Sequence, residues 1–321
     1  MQFSDVSNEL HKRIVRKFPR RKVLVFGPNE IWAMDLMDMI AHEKQNSGFK
    51  YIYCIIDVFT KFAWIIPLKD KQATTVLNAF KKVITTSKWK PKKIWTDKGT
   101  EFYNSNMTAY LDKQKITIYS TYSESKSVVV ERFNKSIKLW IWKHFTSKNT
   151  RDWVTFIPKL QTFYNNRKHS SIGMSPQNAT NPTNTQQVFD KLFGVYFSNL
   201  VEGETKPTKF KVGEYVRISR IKDTFEKGYD ANWSRAVYTI REVIDSKPTT
   251  YLLSEYDKTP IDGGFYEQEL QKTTNPEFFE VEKILQERKR KGKKEYLIKW
   301  LGYEDKYNSF VSEKDLKDLQ K

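Results

Sequence analysis

The chain has 321 residues, of which 39% are hydrophobic and 15% aromatic, enough to bury the cores of two or three domains. Its 56 Lys and Arg outnumber its 38 Asp and Glu, and the formal net charge of +18 favours a polyanionic partner. This composition excludes a disordered tail. A Lys-rich solvated surface would carry the same charge, so charge alone does not identify nucleic acid as the partner.

Cysteine content and hydropathy indicate the cellular setting of the protein. Cys54 is the one cysteine and lies in the apolar run YIYCIID, so no disulfide framework exists and a reducing, intracellular setting is expected. No apolar run reaches the roughly 18 residues of a membrane span, and the N-terminus lacks the apolar segment of a signal peptide. We therefore expect no membrane contact.

Residues 1–28 are predicted to form a basic arm that includes Arg20 and Arg21. Such an arm would lie against DNA phosphates, with these two arginines as contacts, or against the rest of the fold. A flexible charged end that acts as a nuclear-import signal has the same composition, so the pattern leaves these alternatives open.

Between Glu30 and Leu68, three apolar runs predict the strands of a β-meander: IWAMDLM, YIYCIIDVF and KFAWIIPL. Apolar residues at helical spacing from Ala73 to Ile84 predict a helix, and Pro91 prevents its continuation. The following segments predict a strand, a short helix, a last strand and a loop: KKIWTD, EFYNSNMTAYLDKQ, KITIYS and STYSESKS.

The next helix carries Glu131 and has two distinct faces. Its apolar stripe comprises Phe133, Ile137, Trp140, Ile141 and His144. Glu131, Lys135 and Lys138 lie on another face, at i, i+4 and i+7. A solvated Glu–Lys pair would give this second pattern too, and His144 is interpreted as a core histidine rather than a metal ligand.

Three acids in separate segments form the candidate site: Asp35 in IWAMDLM, Asp97 in KIWTDKGTEF and Glu131 in VVVERFNK. The two aspartates follow apolar runs that read as buried strand ends. Anionic oxygen ligands that converge from two strands and a helix suit Mg²⁺ or Mn²⁺. Two such ions would support an in-line phosphoryl transfer.

Three further segments follow the Glu131 helix and precede the last segment of the chain. An amphipathic helix is predicted to turn Trp153, Phe156, Ile157, Leu160 and Phe163 inward. Residues 201–209 read as a linker. Residues 210–273 resemble a small all-β module, because short strand-like runs alternate with glycine- and proline-containing turns.

The order IWxxD, TDxGxEF and VVxERxNxxxK resembles the D,D,E core of retroviral-type integrases. The flanking segments are closer to integrases of Polinton/Maverick elements and their virophage relatives: RKFPRRKV, IIDVFTKFAWIIPLK, YNNRKHSSIGMSP and FYEQELQK. The last segment, FFEVEKILQERKRKGKKEYLIKWLGY, closely resembles a chromodomain. One Cys and four His cannot assemble the His/His/Cys/Cys zinc module that precedes the retroviral core, which is a departure from that pattern.

The resemblance implies a fold for each segment. Residues 29–200 would form an α/β RNase H-like catalytic core, residues 210–273 an all-β SH3-like DNA-binding barrel, and residues 277–321 an α+β chromodomain. Asp35, Asp97 and Glu131 would be both the catalytic residues and the ligands of a two-metal Mg²⁺ or Mn²⁺ site.

The predicted DNA contacts are basic residues beside the acids, in the arm and in the all-β module: Arg132, Lys135, Lys138, Arg20, Arg21, Lys222, Lys227 and Arg235. Trp233 is a further candidate phosphate contact. The chromodomain resemblance places a methyl-lysine cage at Phe279, Trp300 and Tyr303, although Phe279 replaces the usual Tyr. The alternative to a cage is that these aromatic residues merely fill a small core.

The sequence therefore predicts an integrase that processes the 3′ ends of mobile-element or viral DNA and joins them to target DNA. Its partners would be double-stranded DNA and a histone tail with methylated lysine. It would act as a homo-oligomer in the host nucleus, or be packaged in a virion if viral. A catalytically inactive chromatin-binding derivative and an RNase H-type nuclease remain alternatives.

Overall fold

The structure is a computed structural model, and the chain forms two compact units. One unit combines Met1–Arg21 with Thr205–Lys321, and the other is Lys22–Glu204. The first helix, α1 (Asp5–His11), belongs to the former. The structure describes these residues: 4–120, 128–202, 207–220, 226–227, 229–274, 276, 279–290 and 292–319. Within these ranges, no helix is both long and apolar enough to cross a membrane.

The unit Lys22–Glu204 is built on a mixed five-stranded sheet with the order β3-β2-β1-β4-β5. Its first three strands are antiparallel, whereas β4 and β5 run parallel to β1. The meander and the two later strands match the apolar runs from which they were predicted: β1 (Ile31–Asp38), β2 (Tyr51–Asp57), β3 (Ala63–Leu68), β4 (Lys93–Trp95) and β5 (Thr117–Tyr119).

Helices cover both faces of this sheet and give it two hydrophobic cores. They are α2 (Ala73–Ser87), α3 (Ser105–Gln114), α4 (Val128–Lys148), α5 (Ile157–Asn166), α6 (Pro176–Ala179) and α7 (Thr185–Glu202). Along β1, Trp32 and Met34 join the core that includes residues of α2 and α3. Ala33 and Met37 join the core under α4 and α5. Because strand side chains alternate between faces, Asp35 lies on the α4 side.

The predicted helix around Trp153 was wrong in its start and in one inward residue. Helix α5 begins at Ile157, since Pro158 lacks an N–H and suits a first turn. Trp153 is buried before the helix begins, whereas Phe163 is 50% exposed. Phe163 packs at the surface against the Trp140 ring, with ring centroids 5.1 Å apart. Helix α7 was not predicted.

The other unit contains two antiparallel sheets. The five-stranded sheet has the order β10-β6-β7-β8-β9, and its core includes Phe210, Val216, Ile240, Tyr251 and Leu253. Its strands are β6 (Tyr215–Ile218), β7 (Tyr238–Ile244), β8 (Thr250–Ser254), β9 (Phe265–Tyr266) and β10 (Leu270–Lys272). The three-stranded sheet and its final helix comprise β11 (Val281–Arg290), β12 (Lys293–Trp300), β13 (Ser309–Ser312) and α8 (Glu313–Leu319).

The α1 segment packs against the five-stranded sheet. The backbone N–H groups of Asn232 and Trp233 donate to Leu10 O, and the Trp233 indole N–H donates to Lys12 O at 2.8 Å. Trp233 is only 4% exposed. The prediction that Trp233 contacts DNA phosphate was therefore wrong, because its ring and its donor are already used within the fold.

Candidate active site

The two candidate aspartates follow paired residues of two neighbouring parallel strands. Ala33 of β1 pairs with Trp95 of β4, and Asp35 and Asp97 each follow two residues later. Since paired strands lie about 4.8 Å apart, this register brings the two residues to the same edge of the sheet. β4 ends at Trp95, so Asp97 stands in the loop that follows.

Asp35 is half-buried, and hydrogen bonds hold its carboxylate in place. Its Oδ1 accepts from the Leu36 N–H at 2.8 Å, and its Oδ2 accepts from Asn134 Nδ2 at 2.7 Å. Asn134 lies on α4, one turn after Glu131. This bond therefore ties the turn after Glu131 directly to the strand that carries Asp35.

Asn134 is the asparagine of the VVxERxNxxxK pattern, but no role was predicted for it; its place three residues after Glu131 and four before Lys138 was the available signal. Its side chain is 9% exposed. Within the described residues, its Oδ1 is buried and has no hydrogen-bond partner. An unsatisfied buried acceptor beside a carboxylate is costly, and it fits a site that receives a cation or a hydroxyl donor.

Asp97 lies in a turn that also holds Glu101. The Asp97 Oδ1 accepts from the Gly99 N–H at 3.3 Å. The Glu101 carboxyl group lies against Gly99, because a Cβ added there would stand 2.7 Å from Glu101 Oε2. Glu101 is therefore a neighbour of the candidate site, and its carboxyl group would have to shift if residue 99 carried a Cβ.

Glu131 is exposed in the first turn of α4. An acid at this position interacts favourably with the positive end of the helix dipole. Among the described residues, no group of three Asp, Glu, His or Cys side chains is close enough to hold a metal ion. The donor set nevertheless fits a hard cation, because each carboxylate of the trio offers further lone pairs and the orphaned Asn134 oxygen adds another acceptor.

Basic residues lie on the helix that carries Glu131. Burial raises the pKa of the Cys54 thiol, the Asp35 charge raises it further, and the Lys138 charge opposes both. Cys54 pairs with Asp35 across β1 and β2, so the Lys138 charge acts on the residue paired with Asp35. Arg132 and Lys135 are exposed on the same helix. The helix that carries Glu131 therefore also carries exposed cations of the kind that bind phosphate.

Other predicted DNA contacts already have partners inside their own unit. Arg20 pairs with Glu269 at 3.2 Å, and the Arg21 N–H donates to Tyr266 OH at 2.9 Å. Arg235 forms an ion pair with Glu280. Lys227 is exposed. Lys222 lies outside the described residues. Because ion pairing leaves less charge for phosphate, Arg20 and Arg235 would need to exchange partners to bind DNA.

The predicted cage residues are close neighbours. The Phe279 ring centroid lies 5.7 Å from that of Trp300 and 5.4 Å from that of Tyr303. Trp300 is held by a hydrogen bond from its Nε1 to Ser309 Oγ at 2.9 Å. The Tyr303 hydroxyl accepts from the Val237 N–H at 3.3 Å. All three rings are partly exposed, and so they do not simply fill a core.

Comparisons with known proteins identify two domains. Residues 27–125 match the integrase core domain, and residues 279–321 match the chromo (chromatin organisation modifier) domain. The chain thus has a segment similar to an integrase core domain and, C-terminal to it, a segment similar to a chromodomain.

Similar proteins include products of transposons. A transposon-derived protein of Caenorhabditis elegans is 29% identical over 217 residues, which cover 68% of this chain and 71% of that protein. A Ty1 Gag-Pol polyprotein of Saccharomyces cerevisiae is 30% identical over 102 residues, which are 30% of this chain but only 6% of the polyprotein.

A solved structure shares the fold over most of the chain. This is the intasome of simian T-cell lymphotropic virus in complex with the PP2A regulatory subunit B56 gamma. The TM-score is 0.58 at 13% identity, and the match covers 84% of this chain and 87% of that chain. At this identity the likeness concerns the fold alone.

Proposed function

We propose that the protein is a D,D,E integrase that processes the 3′ ends of mobile-element or viral DNA and transfers them into target DNA. The observation that carries this proposal is the parallel pairing of β1 with β4, which aligns the strands two residues before Asp35 and Asp97, with α4 tied to Asp35 through Asn134. That placement supports assigning the mixed five-stranded sheet and its helices to the RNase H-like fold.

Asp35 and Asp97, with Glu131, would hold Mg²⁺ or Mn²⁺. Bound there, these ions would activate the attacking hydroxyl and stabilise the leaving oxygen of an in-line transfer. Asn134 holds the Asp35 carboxylate in one orientation, which reduces the reorganisation needed when the ions and DNA arrive. Lys135, Lys138 and Arg132 would bind the phosphates of the DNA end.

The remaining unit would bring DNA and chromatin together. The five-stranded antiparallel sheet is proposed to be an SH3-like barrel that binds DNA through exposed basic residues such as Lys227. The chromodomain would bind a methylated lysine of a histone tail at Phe279, Trp300 and Tyr303 by cation–π contact. The protein would act in the host nucleus, as a homo-oligomer, since joining two DNA ends requires two active sites.

The origin of the gene is proposed to be a Polinton/Maverick-type element or a related virus. The ends of such an element would supply the terminal sequence that the strand-transfer assay requires.

A strand-transfer assay tests the activity. Purified protein is mixed with a labelled duplex of the terminal sequence, a supercoiled acceptor, and Mg²⁺, Mn²⁺ or EDTA. We expect a metal-dependent joined product that Glu131→Gln abolishes. Asp112→Asn, at an exposed position of α3, serves as the matched acidic control and should retain activity.

The other outcomes of this assay identify the alternatives. Cleavage without joining would indicate an RNase H-type nuclease. Neither cleavage nor joining with true ends at low salt, together with retained binding to DNA or chromatin, would indicate a catalytically inactive chromatin-binding protein.

A further inference from the structure

A fourth aromatic ring lies against the chromodomain rings but belongs to the five-stranded sheet. Tyr256 follows β8, and its ring centroid is 5.5 Å from that of Phe279 with an interplanar angle of 89°. Phe279 is thus in contact with three rings, those of Trp300, Tyr303 and Tyr256. Tyr256 is 61% exposed, so most of its side chain remains accessible to a ligand.

The turn that carries Tyr256 is bonded to the chromodomain on the side of Glu255. The Tyr307 hydroxyl donates to Glu255 Oε2 at 2.5 Å, and Lys306 forms an ion pair with the same carboxylate. Charge-assisted bonds of this kind are stronger and more directional than neutral ones. They hold the turn beside the cage.

The turn is also closed on itself. The Lys258 N–H donates to Glu255 O at 3.0 Å, and the Thr259 N–H donates to Asp257 Oδ1 at 2.9 Å. Lys258 adopts a left-handed conformation with φ of 68°. Tyr256 is therefore presented by a tight, internally bonded turn rather than by a loose loop, and its ring is pre-positioned beside Phe279.

The charges of this turn suit a cationic ligand. Hydrogen bonds from Lys306 and Tyr307 lower the pKa of Glu255, and hydrogen bonds from Thr259 lower the pKa of Asp257. Both groups are therefore carboxylates at neutral pH. Lys306 offsets the Glu255 charge, so Asp257 is the carboxylate next to Tyr256 that favours a cation beside its ring.

We propose that Tyr256 forms a fourth wall of the methyl-lysine cage, so that the cage is a composite of the chromodomain and the five-stranded sheet. The inference rests on the proposed function of Phe279, Trp300 and Tyr303 and adds a residue from outside the chromodomain. The ligand it fits is a quaternary ammonium group on a peptide, which is attracted to the faces of several rings at once.

The test uses the full chain and two labelled peptides. The peptides are identical except that one carries trimethyllysine and the other its neutral isostere, in which carbon replaces the charged nitrogen. Fluorescence anisotropy measures the affinity for each. The unsubstituted protein should prefer the charged peptide, and Trp300→Ala should remove that preference.

The variants of Tyr256 then test the fourth wall itself. Tyr256→Ala should weaken binding of the charged peptide by about 2- to 30-fold, the range expected for one cation–π contact. It should not change the affinity for the isostere peptide. Tyr256→Phe keeps the ring and should keep most of the affinity. Tyr229→Ala, at a position that is 76% exposed in the same unit, is the matched control and should bind as the unsubstituted chain does.

Three results would overturn the inference, and they differ. If Trp300→Ala loses the preference while Tyr256→Ala binds as tightly as Tyr229→Ala, the cage exists but Tyr256 is not part of it. If the unsubstituted chain shows no preference for the charged peptide, the proposed cage fails and the fourth wall with it. A loss of binding in Tyr256→Ala accompanied by a lowered Tm, with no rescue by Tyr256→Phe, would likewise contradict a ring-specific role.

Discussion

Asn134 Nδ2 donates a 2.7 Å hydrogen bond to Asp35 Oδ2, across 99 residues of sequence. The bond joins a helix to a strand, and these two elements carry two of the three candidate acids. It also leaves the Asn134 Oδ1 buried without a partner in the described part of the chain. Asn134 is therefore a positioning residue for Asp35.

Replacing Asn134 should reduce strand transfer. Asn134→Ala removes a hydrogen bond to a charged group, worth about 1.5 to 3 kcal/mol, so we expect kcat to fall about 10- to 100-fold. DNA affinity at low salt should change little, because phosphate contacts from other residues remain. Single-turnover kinetics and a separate binding titration distinguish the two quantities.

Ser136→Ala is the control for this prediction, since Ser136 lies on the same helix and only donates to Arg132 O. If Asn134→Ala and Ser136→Ala show equal rates, Asn134 does not position Asp35 for the reaction.

Glu9→Gln should destabilise the unit that contains the two antiparallel sheets. Arg217 has a side chain that is 1% exposed, and its Nε lies 3.2 Å from Glu9 Oε2. Removing the carboxylate leaves a buried guanidinium without its counter-ion, which costs about 3 kcal/mol. Urea unfolding at pH 7 measures the loss. Glu267→Gln, an exposed acid in a 3.8 Å pair, should cost much less.

The stabilisation by Glu9 should also depend on pH. Burial raises the pKa of Glu9, but hydrogen bonds from Thr274, Thr273 and Arg217 outweigh this effect and hold the pKa below its usual 4.5. The stabilisation is therefore complete above the unfolded pKa and is lost as the pH falls through the lower folded pKa. Unfolding free energies from pH 7 to pH 3 should fall more steeply for the unsubstituted protein than for Glu9→Gln. Parallel curves would refute this assignment.

Lys61 should titrate far below an ordinary lysine. Burial and the charge of Arg132 lower its pKa from 10.5 to about 8, and Asp57 opposes them only in part. The pKa of Lys61 is lower in the folded state than in the unfolded state, so the contribution of Lys61 to stability is fully present above pH 10.5. That contribution is lost as the pH falls through about 8. NMR titration of ¹³Cε-labelled lysine measures the pKa directly.

Arg132→Ala tests the cause of that shift. Removing the neighbouring positive charge should raise the Lys61 pKa, and Asp57→Asn should lower it further. A Lys61 resonance that titrates above pH 10 in the unsubstituted protein would contradict the burial argument.

Asn46→Ala should destabilise the unit Lys22–Glu204. Asn46 is 2% exposed, its Nδ2 donates to His42 O and Arg151 O, and its Oδ1 accepts from the Trp153 and Val154 N–H groups. The substitution leaves several buried backbone groups unpaired, so we expect a loss of about 3 kcal/mol. Asn166→Ala is the control, because this exposed side chain makes one bond, to Thr162 O. Equal Tm values for the two variants would show that the buried bonds contribute little.

DNA binding should depend on salt and on the α4 lysines. Each phosphate contact releases counter-ions, so the logarithm of the affinity should fall linearly with the logarithm of salt concentration. Lys135→Ala and Lys138→Ala should each reduce that slope by about one unit. Lys148→Ala, at the other end of α4, should leave it unchanged. A salt-independent affinity would argue against the basic surface as the DNA contact.

Local patterns in the sequence were sufficient for most of the regular structure. The apolar runs before Asp35 and Asp97 form β1 and β4. The apolar stripe of α4, from Phe133 to Ile141, packs into the hydrophobic core. These predictions succeed because the period of side-chain burial is set by the geometry of one strand or one helix. Phe163 shows the limit, since a residue at the margin of a stripe is buried only if another element covers it.

The sequence by itself determined which elements carry the three acids and in what order, along with the segments that match the integrase core and the chromodomain. Only the tertiary structure decided that Asn134 holds Asp35, that Glu9 neutralises Arg217 and that Tyr256 lies against Phe279. Each of these pairs joins residues from different elements. Hydrophobic periodicity reports which side of an element is buried, but hydrogen bonds, ion pairs and ring contacts between distant segments depend on distances that the packed fold alone sets.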